Sequence, residues 1–159
     1  MILIFGSNRG DRAANIDRAI FFMQAIGTEE KRSALYESDP WGFTADTSFY
    51  NRVVVYRTSL APAAVLRHCL ATEQRLGRVR VATDRYTSRP IDIDILFYDS
   101  LVLHLPDLVI PHPRIAQRRF VLLPLAEILP SLLHPTHHKT IFALLKECPD
   151  TGNVSALLA

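Results

Sequence analysis

The chain has 159 residues and a mass of 18.0 kDa, enough for one hydrophobic core and too little for two. Hydrophobic residues make up 48% and charged residues 21%, with a mean hydropathy of +0.11, which excludes intrinsic disorder. No apolar run reaches the ~18 residues of a membrane span, the start MILIFGSNRGD meets polar residues too early for a secretory signal, and the net charge of +2 is small for a nucleic-acid binder. The expectation is therefore a cytoplasmic, monomeric, single-domain protein over 1–159 with neither membrane nor nucleic-acid partners.

In chain order, MILIFG reads as a buried strand that leaves the core at Gly6. Ile16, Ala19, Ile20, Met23 and Ile26 recur at helical spacing between Asp11 and Gly27, with Gly27 placed as a left-handed helix end. Ser33–Glu37 and Tyr50–Arg57 follow as strands, the second rich in β-branched residues. A second helix starts at Ser59 and Pro62, buries Val65, Leu66, Cys69, Leu70 and Leu76, and closes at Gly77. Ile91–Tyr98 is the clearest strand, and residues 101–110 supply short extra strands around Pro106. Pro124 and Pro130 are expected to divide 114–129 into two short helical pieces before a last helix over 140–148. Cys69 and Cys148 show neither CxxC nor zinc spacing and read as buried small hydrophobes. The order strand, helix, strand, strand, helix, strand predicts an α+β, ferredoxin-like βαββαβ antiparallel sheet with C-terminal edge strands and short helices.

The chemistry concentrates around Pro90-Ile91-Asp92-Ile93-Asp94-Ile95. In a strand, residues two apart share a face, so the isoleucines enter the core while Asp92 and Asp94 project together, roughly 6 to 7 Å apart. Such a pair suits Mg²⁺, which takes one or two protein carboxylates and completes its shell with water and phosphate oxygens; a solvated strand face carries the same pattern. Of the 18 basic residues 15 are Arg, and Arg78, Arg80, Arg85 and Arg89 lie on the loop that runs into this strand. Guanidinium forks grip phosphate oxygens two at a time. With only six Gly and neither GxxxxGK[ST] nor GxGxxG, any nucleotide must be held by side chains and metal.

Two further groups add to this. Pro111-His112-Pro113-Arg114 is a stiffened turn before Arg118, Arg119 and Phe120, where Arg118 adds a candidate phosphate contact. Gly6-Ser7-Asn8, Ser38-Asp39-Pro40-Trp41-Gly42-Phe43 and Phe49-Tyr50-Asn51 combine aromatic rings with amides and hydroxyls, as a flat heterocycle requires. A ferredoxin-like binding module, for a small ligand or RNA, is the alternative; it predicts binding without turnover.

Together these segments resemble the 6-hydroxymethyl-7,8-dihydropterin pyrophosphokinase family, which transfers pyrophosphate from ATP to a pterin alcohol in folate biosynthesis. The resemblance covers nearly the whole chain, from Gly6-Ser7-Asn8 through the Glu73 helix, Gly77-Arg78 and Arg85–Asp94 to Pro111–Arg114 and Arg118-Arg119-Phe120. It implies that Asp92 and Asp94 hold two Mg²⁺ ions, that Arg78, Arg89, His112 and Arg118 contact ATP, and that Arg85 lies on a lid over 78–90. It assigns catalysis to Arg78, Arg85, Arg89 and Asp94. It places the pterin between Phe49 and Phe120, with Asn51 and the Ser38, Trp41 and Gly42 stretch at its edge and Asn8 ordering the pocket. Three positions depart from the family pattern: Tyr86-Thr87-Ser88-Arg89 replaces Trp-Gly-Pro-Arg, Pro113 stands where some members have Tyr, and Asp39 where an apolar residue or Pro is common.

Overall fold

The computed structural model describes residues 1–80 and 87–158. Strand β1 (Ile2–Ser7) is central and fully buried, and it pairs antiparallel with β4 (Phe49–Arg57) on one side and β5 (Asp92–Phe97) on the other. β4 in turn pairs with β2 (Thr28–Arg32) and β3 (Tyr36–Ser38), and β3 carries an outer strand β8 (Val154–Ala156). The sheet order β5-β1-β4-β3-β8, with β2 also on β4, is the expected ferredoxin-like arrangement extended at its edge.

Helices α1 (Arg12–Met23) and α2 (Pro62–Arg75) cover one face, because Leu3, Phe5, Val54, Tyr56, Ile91, Ile93 and Ile95 all point that way and meet Ile16, Ile20, Met23, Val65 and Cys69. Helices α3 (Arg119–Ile128) and α4 (Ile141–Glu147) cover part of the other, where Ile2, Ile4, Val53 and Leu96 meet Val121, Leu122, Leu125, Ile141 and Leu144. A register shift between Ile2 and Leu3 against β5 brings Leu96 and Phe97 both into this second cluster. β6 (Leu103–Leu105) and β7 (Leu108–Ile110) form a separate hairpin around Pro106, as predicted.

Several local expectations differ. Of the strand predicted over Ser33–Glu37 only Tyr36 and Glu37 are extended, in β3; β2 lies before it and is unexpected, and between the two Ser33 holds Val53 twice, its N–H donating to the Val53 carbonyl at 2.9 Å and its hydroxyl accepting the Val53 N–H at 3.0 Å. α1 starts at Asp11, whose carboxylate accepts the Ala14 N–H, and ends at Met23 in a short 3₁₀ turn. Gly27 is extended (φ 160°) rather than left-handed; a Cβ there would lie 2.1 Å from the Arg57 carbonyl oxygen, so close backbone approach explains the glycine. Gly77, at φ +90°, does close α2 in the left-handed region. Pro124 does not split α3; it is buried inside it, one N–H···O bond being given up for packing. In α2, Val65 and Cys69 are buried as expected and Leu66 and Leu76 are partly buried against the same core, but Leu70 is 38% exposed, and Thr72 and Glu73 are unexpectedly buried. Cys69 is fully buried and Cys148 only partly.

Candidate active site

The second sheet face changes character halfway along its strands. Ile4 pairs with both Val53 and Asp94; one pleat further on, Gly6 pairs with Asn51 and Asp92. α3 and α4 cover the apolar half, while the row Gly6, Asn51, Asp92 and Asp94 lies past the start of α3 and opens into two adjoining cavities.

The first cavity, about 480 Å³, is lined by Ile4, Gly6, Ser38, Asp39, Trp41, Phe43, Phe49, Asn51 and Phe120, with Arg89, Asp92, Asp94 and Arg118 at one side. Its floor needs a glycine: a Cβ on Gly6 would sit 3.3 Å from Asn51 Oδ1 and 3.9 Å from the Phe49 ring. Asn51 is 2% exposed and donates Nδ2–H to the Ser38 hydroxyl at 2.8 Å, which fixes its amide against the pocket. Phe43, the last ring of the aromatic loop, meets Phe49 edge to face at 6.0 Å. Trp41 lies 4.6 Å from the Arg118 guanidinium and 5.6 Å from that of Arg114, so the aromatic loop contacts the basic cluster directly.

The second cavity, about 620 Å³ and more open, is lined by Arg78, Arg80, Arg89, His112, Pro113 and Arg114 together with Asp92, Asp94 and Arg118. Four residues, Arg89, Asp92, Asp94 and Arg118, belong to both cavities and form their common boundary. All but the two carboxylates and His112 among its titratable groups are Arg, so the basin suits a polyanion, with carboxylates available for a cation at its edge.

Glu73 organises this charge. It is 1% exposed on α2 and accepts from Arg78 Nη1 at 2.7 Å, Arg80 Nη2 at 2.7 Å and the Ile93 N–H at 2.9 Å. Burial and then the nearby Asp92 charge push its carboxyl above the ordinary range, while the two arginines pull the other way. A helical stripe of apolar residues with one acid inside it was the available signal for this role. Asp92 receives Arg78 directly and Arg89 Nη2 at 3.0 Å. Burial raises the Asp92 carboxyl, but Arg89 and Arg78 outweigh it and hold the group below the usual carboxylate range. Burial and the charge of Asp92 push Asp94 up to about 7. His112 Nε2 lies 3.8 Å from Asp94 Oδ2, while Nδ1 accepts the Arg114 N–H at 3.2 Å. Burial and the Arg118 charge lower the imidazole to about 4, so at neutral pH it presents a neutral Nε2–H donor to the basin.

Most of the predicted residues thus converge. Ser38, Trp41, Phe49, Asn51 and Phe120 line the first cavity, and Arg78, Arg89, His112 and Arg118 the second. Gly42 and Asn8 are not part of either lining. Gly42 turns the loop between Trp41 and Phe43 at φ +79°. Asn8 is a junction: its Oδ1 accepts the Arg89 N–H at 2.8 Å, its Nδ2 donates to Ser88 Oγ at 3.1 Å, and its carbonyl accepts the Thr47 hydroxyl at 2.6 Å. Arg85 falls outside the described residues, as does the rest of 81–86 in the loop expected to act as a lid.

Residues 2–130 match the model of the 7,8-dihydro-6-hydroxymethylpterin-pyrophosphokinase family. A Porphyromonas gingivalis protein named 2-amino-4-hydroxy-6-hydroxymethyldihydropteridine pyrophosphokinase is 40% identical over 136 residues, covering 84% of this chain and 92% of that protein. The Aquifex aeolicus protein of the same name is 38% identical over 136 residues, 86% of this chain and 84% of that one. The Dictyostelium discoideum folic acid synthesis protein FOL1 is 39% identical over 152 residues, and there the match covers 96% of this chain but only 23% of the longer protein. Among solved structures, wild-type Plasmodium falciparum HPPK-DHPS superposes with a TM-score of 0.73 at 18% identity over 92% of this chain and 44% of that one, a likeness of fold. By the extent of these matches, the chain belongs to the 7,8-dihydro-6-hydroxymethylpterin-pyrophosphokinase family.

Proposed function

We propose that the chain transfers a pyrophosphoryl group from ATP to 6-hydroxymethyl-7,8-dihydropterin, giving the pterin diphosphate and AMP in folate biosynthesis. The observation that carries this reading is the shared boundary: an aromatic cavity shaped for a flat heterocycle and an arginine-lined basin meet at Arg89, Asp92, Asp94 and Arg118. A hydroxymethyl group projecting from a ring in the first cavity arrives where a triphosphate in the second presents its chain.

The pterin stacks between Phe49 and Phe120, with Ser38, Asn51 and the Trp41 to Gly42 stretch at its polar edge. Arg78, Arg89, His112 and Arg118 bind the triphosphate, and by family resemblance Arg85 serves catalysis. The donor set fits Mg²⁺: two hard carboxylates, Asp92 and Asp94, share one strand face, and among the described residues no group of three or more acidic, His or Cys side chains competes for the ion. Asp92 and Asp94 would hold the two expected ions. Bound Mg²⁺ supplies neutralisation of the phosphate charge.

In the transfer, the hydroxymethyl oxygen forms a bond to the β-phosphorus in line as the bond from that phosphorus to the α,β-bridging oxygen breaks, releasing AMP. Asp94, on the boundary, orients the attacking hydroxyl and takes its proton as the new bond to phosphorus forms. Arg78 and Arg89 stabilise the charge that spreads over the equatorial oxygens. Alignment of the two substrates supplies much of the acceleration, since it is worth roughly 7 to 11 kcal/mol. We read 1–159 as a single catalytic domain that acts as a monomer. Among the described residues no helix is long and apolar enough to cross a membrane, and we place the enzyme in the cytoplasm.

The test is an AMP-release assay with ATP, Mg²⁺ and the reduced pterin. AMP should appear in step with the pterin diphosphate and only when both substrates are present. Release of ADP or inorganic phosphate instead, or tight binding without turnover, overturns the reading.

A further inference from the structure

The two walls of the aromatic cavity come from different elements. Ser38, Asp39, Trp41, Phe43 and Phe49 belong to β3, β4 and the loop between them, whereas Arg118 and Phe120 belong to the start of α3. The far end of α3 is fixed to the sheet, because the Glu127 carboxylate accepts the Ala34 N–H at 3.1 Å. Its near end, which carries the cavity wall, has no side-chain cap from Arg118 at the N-cap position.

Four residues near the C-terminal end of the sequence supply what is missing. Asp150 Oδ2 accepts the Arg119 N–H, an orphan donor of the first helical turn, at 2.9 Å. Its other oxygen, Oδ1, accepts the Gly152 N–H at 2.9 Å and tightens the turn. Asn153 then joins the opposite wall three times: its N–H and its Nδ2–H both donate to Asp39 Oδ2 at 3.1 Å, and its carbonyl accepts the Asp39 N–H at 3.1 Å. β8 continues the tie by pairing with β3 from Ser38 to Tyr36. The turn lies outside residues 2–130 that match the family model. It also accounts for Asp39, whose carboxylate faces this turn.

We infer that Asp150–Asn153 is a positioning element of the heterocycle pocket, a staple that sets the separation of the Trp41 and Phe120 walls and so the affinity for the pterin ring. This rests on the proposed function for the identity of the ligand. None of these four residues lines either cavity, and the staple bears mainly on the heterocycle site because it holds the aromatic walls, whereas of the triphosphate contacts Arg78, Arg89 and His112 stand on other elements and only Arg118 shares the α3 wall.

The experiment compares Asp150→Ala, Asp150→Asn and Asn153→Ala with the unaltered protein. Calorimetric titration measures 6-hydroxymethylpterin and, separately, Mg²⁺ with a non-hydrolysable ATP analogue. Asp150→Ala and Asn153→Ala should each weaken pterin binding about tenfold, the equivalent of one hydrogen bond, while nucleotide binding shifts by about twofold or less. Asp150→Asn retains an acceptor for the Arg119 N–H and should recover most of the loss. Asn153→Ala combined with Asp39→Ala should be no worse than Asp39→Ala alone, since the Nδ2–H bond lost in Asn153→Ala is one of the two bonds to Oδ2 that Asp39→Ala removes. Unchanged pterin affinity in Asn153→Ala, or equal weakening of both ligands, overturns the inference. Asn153→Ala alone decides the matter if Asp150→Ala does not fold. Failure of the unaltered protein to bind the pterin at all would instead sink the proposed function.

Discussion

The two faces of the central sheet are built from the same three strands and differ in what they are for. Toward α1 and α2 the side chains of β1 and β5 are apolar and sealed from Leu3 and Phe5 to Ile93 and Ile95, and the one polar group on that side of β1, the buried Ser7 hydroxyl, accepts from Asn15 of α1. Toward α3 and α4 the same strands are apolar only as far as Ile4, Val53 and Leu96, then turn to Gly6, Asn51, Asp92 and Asp94. One face stabilises the domain, and the other is left uncovered for half its length, with the polar row held in place by the sealed face behind it. A rigid strand thus carries chemistry on alternate residues without disturbing the core on the others.

The sharpest way to separate the faces is to truncate each. Asp92→Ala and Asp94→Ala should lower turnover about a thousandfold or more with little loss of melting temperature, measured by AMP release with saturating Mg²⁺ and by thermal unfolding. Near-normal turnover in both would remove the carboxylates from the mechanism. Phe5→Ala, one strand residue away on the sealed face, should do the opposite. It should destabilise by about 3 to 5 kcal/mol in denaturant unfolding, with kcat per folded molecule nearly unchanged. A smaller effect is expected at the junction between the cavities. Asn8→Ala removes two side-chain bonds to Ser88 and Arg89 and should lower kcat about ten- to a hundredfold through misplaced Arg89, with pterin affinity nearly intact. A loss confined to pterin affinity would return Asn8 to the pocket.

What the sequence made legible followed strict local rules. The DxD alternation placed two carboxylates on one face and three isoleucines on the other because a strand allows no other choice, and the structure shows that arrangement. The helix boundaries at Asp11, Pro62 and Thr140 were set by capping and proline geometry. Features decided by distant segments were not readable. Gly27 answers to the Arg57 carbonyl, 30 positions away, and Pro124 is buried inside α3 instead of ending it. Asp39 and Asn8 carried polar side chains whose partners, Asn153 and Ser88, lie 114 and 80 residues further on. Glu73 gave only the oddity of an acid in an apolar stripe; its pairing with Arg78 and Arg80 needed the turn at Gly77 to bring them back.

The second face also contains a polar group well away from the cavities, which allows its apolar half to be probed by pH. His134 is 2% exposed, packs edge to face on Phe97 at 5.3 Å, and its Nδ1 accepts the N–H groups of Thr136 and His137. Burial, then the neighbouring His137 and His138, lower the imidazole to about 4 in the folded chain. The unfolded chain protonates near 6.5, so between these values it binds more protons than the native state, and stability falls as pH falls through that window. At pH 5.5 the loss attributable to this group is about 1 kcal/mol relative to pH 7.5. His134→Asn keeps an acceptor for the two N–H groups and does not titrate, so its denaturation midpoint should depend less on pH over 6.5 to 4. His112 is lowered in the same direction but is common to both proteins, so the difference between their pH slopes isolates His134. Equal slopes would mean that the turn at His134 opens to solvent in the native state, and that the apolar half of this face is less tightly closed than the sealed face behind it.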